Sequence, residues 1–183
     1  NLENKSNYKK RYLDIRKFNE KNKFKKKGIA ITPLKFGISF TTIHLNQAGA
    51  LVHIYTDGSV HLNHGGIEMG QGTHTKIAQI VANSLGLPYS LVHISSTNTA
   101  KVPNTSASAA SSTTDLNGAA ALNAVAKIKL NLEKFIKKKY KIYNQEAVYK
   151  DQYIIFGNRQ FEFKSIIQEA YLNRISLSSS GFY

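Results

Sequence analysis

Gly65-Gly66-Ile67-Glu68-Met69-Gly70-Gln71-Gly72 decides how this chain is read, because a strand-like run precedes it and a helix-like run follows. Upstream, Ser59-Val60-His61-Leu62-Asn63 alternates as a half-buried strand does. Downstream, Ile77, Ile80, Val81 and Leu85 recur at helical spacing. A glycine-rich turn that opens a helix lets backbone N–H groups approach a ligand at the positive end of the helix dipole. The stretch therefore predicts a cofactor site for phosphate or another electron-rich group. The two common nucleotide motifs fail on spacing. A phosphate loop needs Gly-Lys-Ser/Thr, but Gly72 is followed by Thr73-His74, and Lys76 is already inside the helix. A dinucleotide fingerprint needs a third glycine where Thr75 stands, and no acid follows until Asp115.

Working outward, residues 50–56 and 59–64 read as two strands joined at Asp57-Gly58, a pair that favours a tight hairpin turn because both positions accept positive φ. The helix after Gly72 is expected to stop at Gly86, with Pro88 beyond it. Residues 91–95 read as a strand, and 95–112, rich in Ser, Thr, Asn and Ala, as a long polar loop of the kind that carries function or is disordered. A long helix is expected over 116–140, alanine-rich first and lysine-rich at its end, as the helix dipole favours. A second hairpin is expected over 148–156 and a short helix over 163–172. Toward the start, residues 8–22 form an amphipathic pattern with Tyr12, Ile15 and Phe18 on one face. Residues 28–32 read as a strand ending at Pro33, and 40–43 as extended. Strands and helices mix without strict alternation, so the expected class is α+β, a mixed sheet with packed helices.

The chain has 183 residues, 42% of them hydrophobic, enough for one domain with a real core. No run of about 18 apolar residues suggests a membrane span. The polar start lacks a signal peptide's apolar stretch, and there is no cysteine, so a cytoplasmic setting is expected. The absence of cysteine excludes disulfides, cysteine-ligated zinc and iron–sulfur clusters within these residues. Met69 is the only methionine, which reads as a chain that starts partway through a natural one or was processed. The net charge of +14 is unevenly placed: residues 1–35 hold 12 Lys/Arg against 3 acids, 36–126 hold 2 against 3, and 127–183 hold 11 against 5. Lys23, Lys25, Lys26 and Lys27, and Lys137-Lys138-Lys139, could meet a nucleic-acid backbone. The plainer reading is a solvated surface, since no aromatic-interleaved binding signature accompanies them. The six histidines match no metal-ligand spacing.

The octapeptide resembles the cofactor-binding motif of the large molybdenum subunit of xanthine dehydrogenases and aldehyde oxidases. Further stretches follow that family's order. Lys35-Phe36-Gly37-Ile38-Ser39-Phe40-Thr41, Leu45-Asn46-Gln47-Ala48-Gly49-Ala50-Leu51 and Tyr55-Thr56-Asp57-Gly58-Ser59-Val60 come before it. Val102-Pro103-Asn104-Thr105-Ser106, Ala109-Ala110-Ser111, Asp115-Leu116-Asn117-Gly118 and the closing Ser176-Leu177-Ser178 with Gly181-Phe182-Tyr183 come after. The resemblance implies residues 1–27 as a basic helical lead-in and connector, and 28–183 as part of a molybdenum cofactor-binding domain incomplete at both ends. It implies molybdopterin with molybdenum as cofactor, contacted by Met69, Gly70, Gln71 and Gly72 and by Ala110, Ser111 and Thr113. Each has a plainer reading: Gln71 in a turn facing water, Met69 filling core, the glycines setting backbone geometry, and residues 112–115 capping a helix. In purine-oxidising members the positions of Phe40 and Thr41 lie against the heterocycle and hydrogen-bond it, so the resemblance points to a purine; a core Phe40 and a strand Thr41 are the alternative.

The resemblance also implies what these residues lack. Family members use a glutamate base in a Gly-x-Gly-Glu stretch, which does not occur here. The expected function is thus a fragment of a xanthine dehydrogenase-like hydroxylase, inactive alone, that acts on hypoxanthine or xanthine in the full-length enzyme. Its partners would be the remainder of the molybdenum subunit and an iron–sulfur/FAD subunit or segment. The alternatives are a non-catalytic cofactor-binding relic and a basic nucleic-acid-binding module.

Overall fold

The computed structural model describes residues 2–101 and 104–183, and two compact units divide at Gly37/Ile38. The first unit carries a short helix α1 (Leu2–Lys5) and the longer α2 (Tyr8–Lys21), neither of which has a buried residue. Its connector folds back on α2 at Asn19, whose side chain accepts from the Lys27 amide (2.8 Å) and donates to the Lys27 carbonyl (2.9 Å). Lys27 also lies over the Phe18 ring, 4.1 Å from its centre. The strand expected over 28–32 is absent: the run has alternate apolar residues but no neighbouring strand to complete a ladder, and its side chains are largely exposed.

The second unit begins irregularly. The extension expected over 40–43 is replaced by a bend and a 3-10 turn (Ile43–Leu45), because Asn46 takes both backbone groups of Phe40. Its Oδ1 accepts from the Phe40 amide and its Nδ2 donates to the Phe40 carbonyl, each at 2.8 Å. Such local side-chain bonds compete with a strand ladder. The chain then enters β1 (Gly49–Ile54) and returns antiparallel as β2 (Val60–His64). The hairpin is looser than the two-residue turn expected. The Tyr55 amide donates to the Ser59 carbonyl and the Gly58 amide to the Tyr55 carbonyl, both at 2.9 Å, and of Asp57 and Gly58 only Gly58 has positive φ (88°). Asp57 instead accepts from the Ser59 amide and hydroxyl.

Helix α3 (Thr73–Leu85) opens at Gly72 and stops at Gly86, both left-handed. Strand β3 (Val92–Ile94) then pairs parallel with β2. A long irregular segment leads to α4 (Thr113–Tyr140). Strands β4 (Ala147–Lys150), β5 (Tyr153–Phe156) and β6 (Arg159–Glu162) form an antiparallel meander followed by α5 (Phe163–Leu172). The expected second hairpin and short helix are thus present; β6 is an addition. The chain closes in β7 (Ser178–Phe182), antiparallel to β1, so the main sheet runs β3-β2-β1-β7. This mixed sheet with packed helices is the α+β architecture expected.

The core lies between that sheet and helices α3 and α4. Val52, Ile54, Val60 and Leu62 from the sheet meet Ile77, Val81 and Leu85 of α3, and Ala120, Ala121, Ala124, Val125 and Ile128 of α4, in one buried cluster. The alanines have a specific use. A Cβ on Gly181 of β7 would lie 2.0 Å from the Ala120 carbonyl oxygen and 2.5 Å from the Ala124 nitrogen. The backbone of α4 therefore rests directly on the strand, which fixes where the N-terminus of α4 sits.

Candidate functional site

Two loop-to-helix junctions face each other at one end of the main sheet. The glycine-rich turn connects β2 to α3, and residues 104–112 lead into α4. Close approach between them depends on small residues: a Cβ on Gly65 would fall 2.2 Å from Thr105 Oγ1, and one on Gly66 would fall 2.7 Å from Thr113 Cγ2. Two hydrogen bonds stitch the two together, and a third within α4 holds Asn117 in place. The Gly65 amide donates to Asn117 Oδ1 (3.1 Å) and the Ile67 amide to Ser108 Oγ (2.7 Å), and Asn117, itself buried, donates from Nδ2 to the Thr113 carbonyl (2.9 Å). Between the junctions opens a cleft of about 380 Å³, lined by Met69, Gln71, Thr73 and Lys76 on one side and Ser108, Ala109, Ser111, Thr113 and Thr114 on the other. That volume is in the range of small-molecule sites.

Of the residues singled out from sequence, Met69, Gln71, Ser111 and Thr113 line this cleft. Gly70, Gly72 and Ala110 belong to the same loops without lining it. Phe40 is half-buried and Thr41 exposed, and neither lines the cleft. The preceding Ser39 is tied to the second junction, its amide donating to the Ala110 carbonyl (3.0 Å). The family-like stretch at Val102-Pro103 lies outside the described residues.

The two junctions differ in what their amides do. In the glycine-rich turn those of Met69, Gly70, Gly72 and His74 are taken up internally, whereas among the described residues no acceptor is bonded to the Thr73 and Thr75 amides. Glu68 Oε1 accepts from the Gly70 (2.8 Å) and Gly72 (2.9 Å) amides, and Oε2 accepts from the His74 amide (3.0 Å). These bonds, the His74 amide's first and the Gly72 amide's next, hold the Glu68 carboxyl down at about 2, so it stays ionised. Gln71 closes the turn on itself: Oε1 accepts from the Met69 amide (2.6 Å) and Nε2 donates to the Ile67 carbonyl (2.8 Å). One amide hydrogen and one carbonyl lone pair of Gln71 remain for a ligand. Lys76 Nζ donates to the backbone carbonyl of Gln71 (3.0 Å). Beneath the turn, buried His64 accepts from the Gly66 amide through Nδ1 (3.1 Å) and meets the His74 ring edge-on at 4.9 Å. Burial first, and His74 second, push His64 down to about 4. The Nε2 atoms of both histidines are buried without a hydrogen-bond partner.

At the second junction Ala110 and Ser111 are both left-handed (φ 51° and 53°), an uncommon state for residues with a side chain. The Ser112 hydroxyl donates to the Ala109 carbonyl and does not cap α4. Among the described residues, no acceptor is bonded to the first-turn amides of Thr113, Thr114 and Asp115. Open amides, two hydroxyls and the small residues Ala109 and Ser111 make this wall suited to a bulky anion. The donor set therefore fits an anionic cofactor, received by the α4 side and flanked by Gln71 and Lys76.

Sequence reasoning missed several participants. Lys76 was set aside for being inside the helix, yet Thr73 and Lys76 are three apart and share the face that meets the cleft. Glu68 had no identifiable partner in the sequence, because its partners are backbone amides. Ser108 and Asn117 act through the other junction, a pairing that no local pattern encodes.

Comparison with known proteins identifies the family. The family described as "Molybdopterin cofactor-binding domain" matches residues 1–183. The chain is 47% identical over 178 residues to xanthine dehydrogenase/oxidase of Mus musculus, covering 97% of the chain and 12% of that protein. It is 46% identical over 179 residues to xanthine dehydrogenase of Dictyostelium discoideum, covering 98% and 12%. The chain thus spans about an eighth of the length of these relatives. Among solved structures, reconstituted CO dehydrogenase from Oligotropha carboxidovorans aligns with a TM-score of 0.67 at 24% identity, over 74% of the chain and 18% of its own. Quinoline 2-oxidoreductase from Pseudomonas putida 86 aligns with 0.66 at 21% identity, over 75% and 19%. At these identities the structures speak for the fold alone.

Proposed function

The chain belongs to the molybdopterin cofactor-binding domain family, and from that premise we propose that it forms one part of a xanthine dehydrogenase-like molybdenum hydroxylase. In this reading the cofactor sits between the two junctions. Ser111 and Thr113, with the open first-turn amides of α4, receive its anionic portion. Gln71 and Met69 flank it from the glycine-rich side, where Gly70 and Gly72 shape the turn, and Ala110 sets the loop opposite. Phe40 and Thr41 contribute to a purine subsite for hypoxanthine or xanthine, through aromatic stacking and a hydroxyl partner. Residues 28–183 would be the part of the cofactor domain present here, and 1–27 its basic lead-in.

When bound, the molybdenum group supplies a two-electron acceptor for a hydroxylation in which water gives the oxygen and the ring carbon loses its hydrogen. The roles of this chain are to bind, to orient and to exclude water. None of the proposed site residues is a general base, so the glutamate base belongs to another part of the protein. The electrons would leave through iron–sulfur and flavin groups, also elsewhere, in a cytoplasmic enzyme. Among the described residues no helix is long and apolar enough to cross a membrane.

One observation carries this reading: two segments some 40 positions apart in sequence, both with family-like motifs, wall a single cleft. The test uses the native protein that contains this chain. Its molybdenum content by plasma mass spectrometry should approach one atom per polypeptide, and it should oxidise xanthine faster than an aromatic aldehyde. A metal-free native protein would refute the hydroxylase reading, and a preference for the aldehyde would refute the purine subsite.

A further inference from the structure

We infer that Glu68 is a positioning residue for the proposed cofactor site: its carboxylate occupies the Gly70, Gly72 and His74 amides at the start of α3 as a built-in anion, so the ligand meets this turn through the Met69 and Gln71 side chains and not through those three amides. The inference rests on the function proposed above and specifies how one wall of the site works. A glycine-rich turn before a helix normally offers its amides to a ligand anion. Here three of the amides that could do so, those of Gly70, Gly72 and His74, point at Glu68, at 2.8, 2.9 and 3.0 Å, which leaves the Thr73 and Thr75 amides without a bonded acceptor among the described residues. An external anion could reach these three amides only by displacing a carboxylate held by three charge-assisted bonds and tethered two to six residues away.

The same bonds fix the path of the chain from 68 to 74. Gln71 lies inside that loop, and its own bonds to the Met69 amide and the Ile67 carbonyl need the turn in this shape. Gly70 (φ 97°) and Gly72 (φ 78°) supply the left-handed backbone that wraps the amides around the carboxylate. Glu68 itself does not line the cleft, whereas Met69 and Gln71 do. It therefore acts through its neighbours.

The test is chemical rescue in the native protein. Glu68→Ala leaves a carboxylate-sized vacancy before three amides, and acetate is the probe that matches it. Thermal midpoints of wild type and Glu68→Ala are compared in acetate, in chloride of equal ionic strength, and in neutral acetamide. Acetate should raise the midpoint of Glu68→Ala by several degrees and leave wild type unmoved, with no effect from acetamide. Glu68→Gln keeps the size and loses the charge; it should keep its circular dichroism while its molybdenum content falls at least fivefold. Equal response of both proteins to acetate, or full molybdenum in Glu68→Gln, would overturn the inference. If Glu68→Ala does not fold, Glu68→Gln decides alone. Wild-type protein without molybdenum would refute the proposed function instead, and the acetate comparison would still report on the carboxylate.

Discussion

The junctions at 65–73 and 108–113 are alike in outline, each a loop of small residues that opens a helix, and opposite in electrostatics. The first carries its own anion: Glu68 satisfies the amides of Gly70, Gly72 and His74. The second carries none, since Ser112 turns its hydroxyl back to Ala109 and leaves the first turn of α4 open. Placed face to face across one cleft, they would give the proposed site two unlike walls, with the first-turn amides of α4 open on one side and the Gly70, Gly72 and His74 amides already taken by Glu68 on the other. The lesson is that glycine content does not mark the anion site. In the proposed site, what would mark it is how many amides at the helix start a nearby carboxylate has already taken.

The comparison breaks most severely if α4 is moved. Gly181→Val puts side-chain atoms where the α4 backbone already sits. We expect it to cost about 3 kcal/mol or more, the scale of severe overpacking, and to separate the junctions. Urea unfolding would show the loss, and an unchanged midpoint would mean that α4 does not rest on β7 as described.

Acid is expected to act on the glycine-rich side through His64. Its folded value of about 4 lies below its ordinary 6.5. Between those values the unfolded chain takes up a proton that the folded site refuses, so stability is full above pH 6.5 and falls as pH drops toward 4. The loss amounts to about 3 kcal/mol by linkage. His64→Gln should remove most of this slope. Glu68, also depressed, adds its own loss only below about 4.5, so unfolding measured between pH 7 and 5 isolates the histidine.

Asn117 links the two sides, and Asn117→Ala should cost about 2 kcal/mol by leaving the Gly65 amide without its acceptor. Thermal unfolding and molybdenum content should fall together. The smallest expected effect is a gain. Ala110→Gly relieves a left-handed alanine (φ 51°) and should stabilise by less than about 1 kcal/mol, because glycine also makes the unfolded chain more flexible. A loss there would mean that the Ala110 methyl packs in a way the loop geometry does not suggest.

The sequence was legible where structure is local. Periodicity and stop signals placed α3 between Gly72 and Gly86, the paired strands β1 and β2, and α5 at 163–172. It was misleading where a partner was needed from elsewhere. Residues 28–32 have a strand's alternation without a neighbouring strand, and 40–43 lose their extension to Asn46. Strand β7 reads as a run of serines, and it becomes a strand because β1 offers an edge and Gly181 lets α4 lie against it. The site divides in the same way. Met69, Gln71, Ser111 and Thr113 were reached through the resemblance, whereas Ser108 and Asn117 join the site only when the two junctions touch, and Glu68 bonds to backbone atoms that carry no sequence signature.

The most direct test is the structure of the native protein with its cofactor bound, read at the two sets of amides. The expected result is an anionic portion of the cofactor within hydrogen-bond distance of the Thr113 and Thr114 amides, with Glu68 still bonded to Gly70, Gly72 and His74. A cofactor bonded to the Gly70 and Gly72 amides, with Glu68 displaced, or one lying outside this cleft, would contradict the division between the two walls.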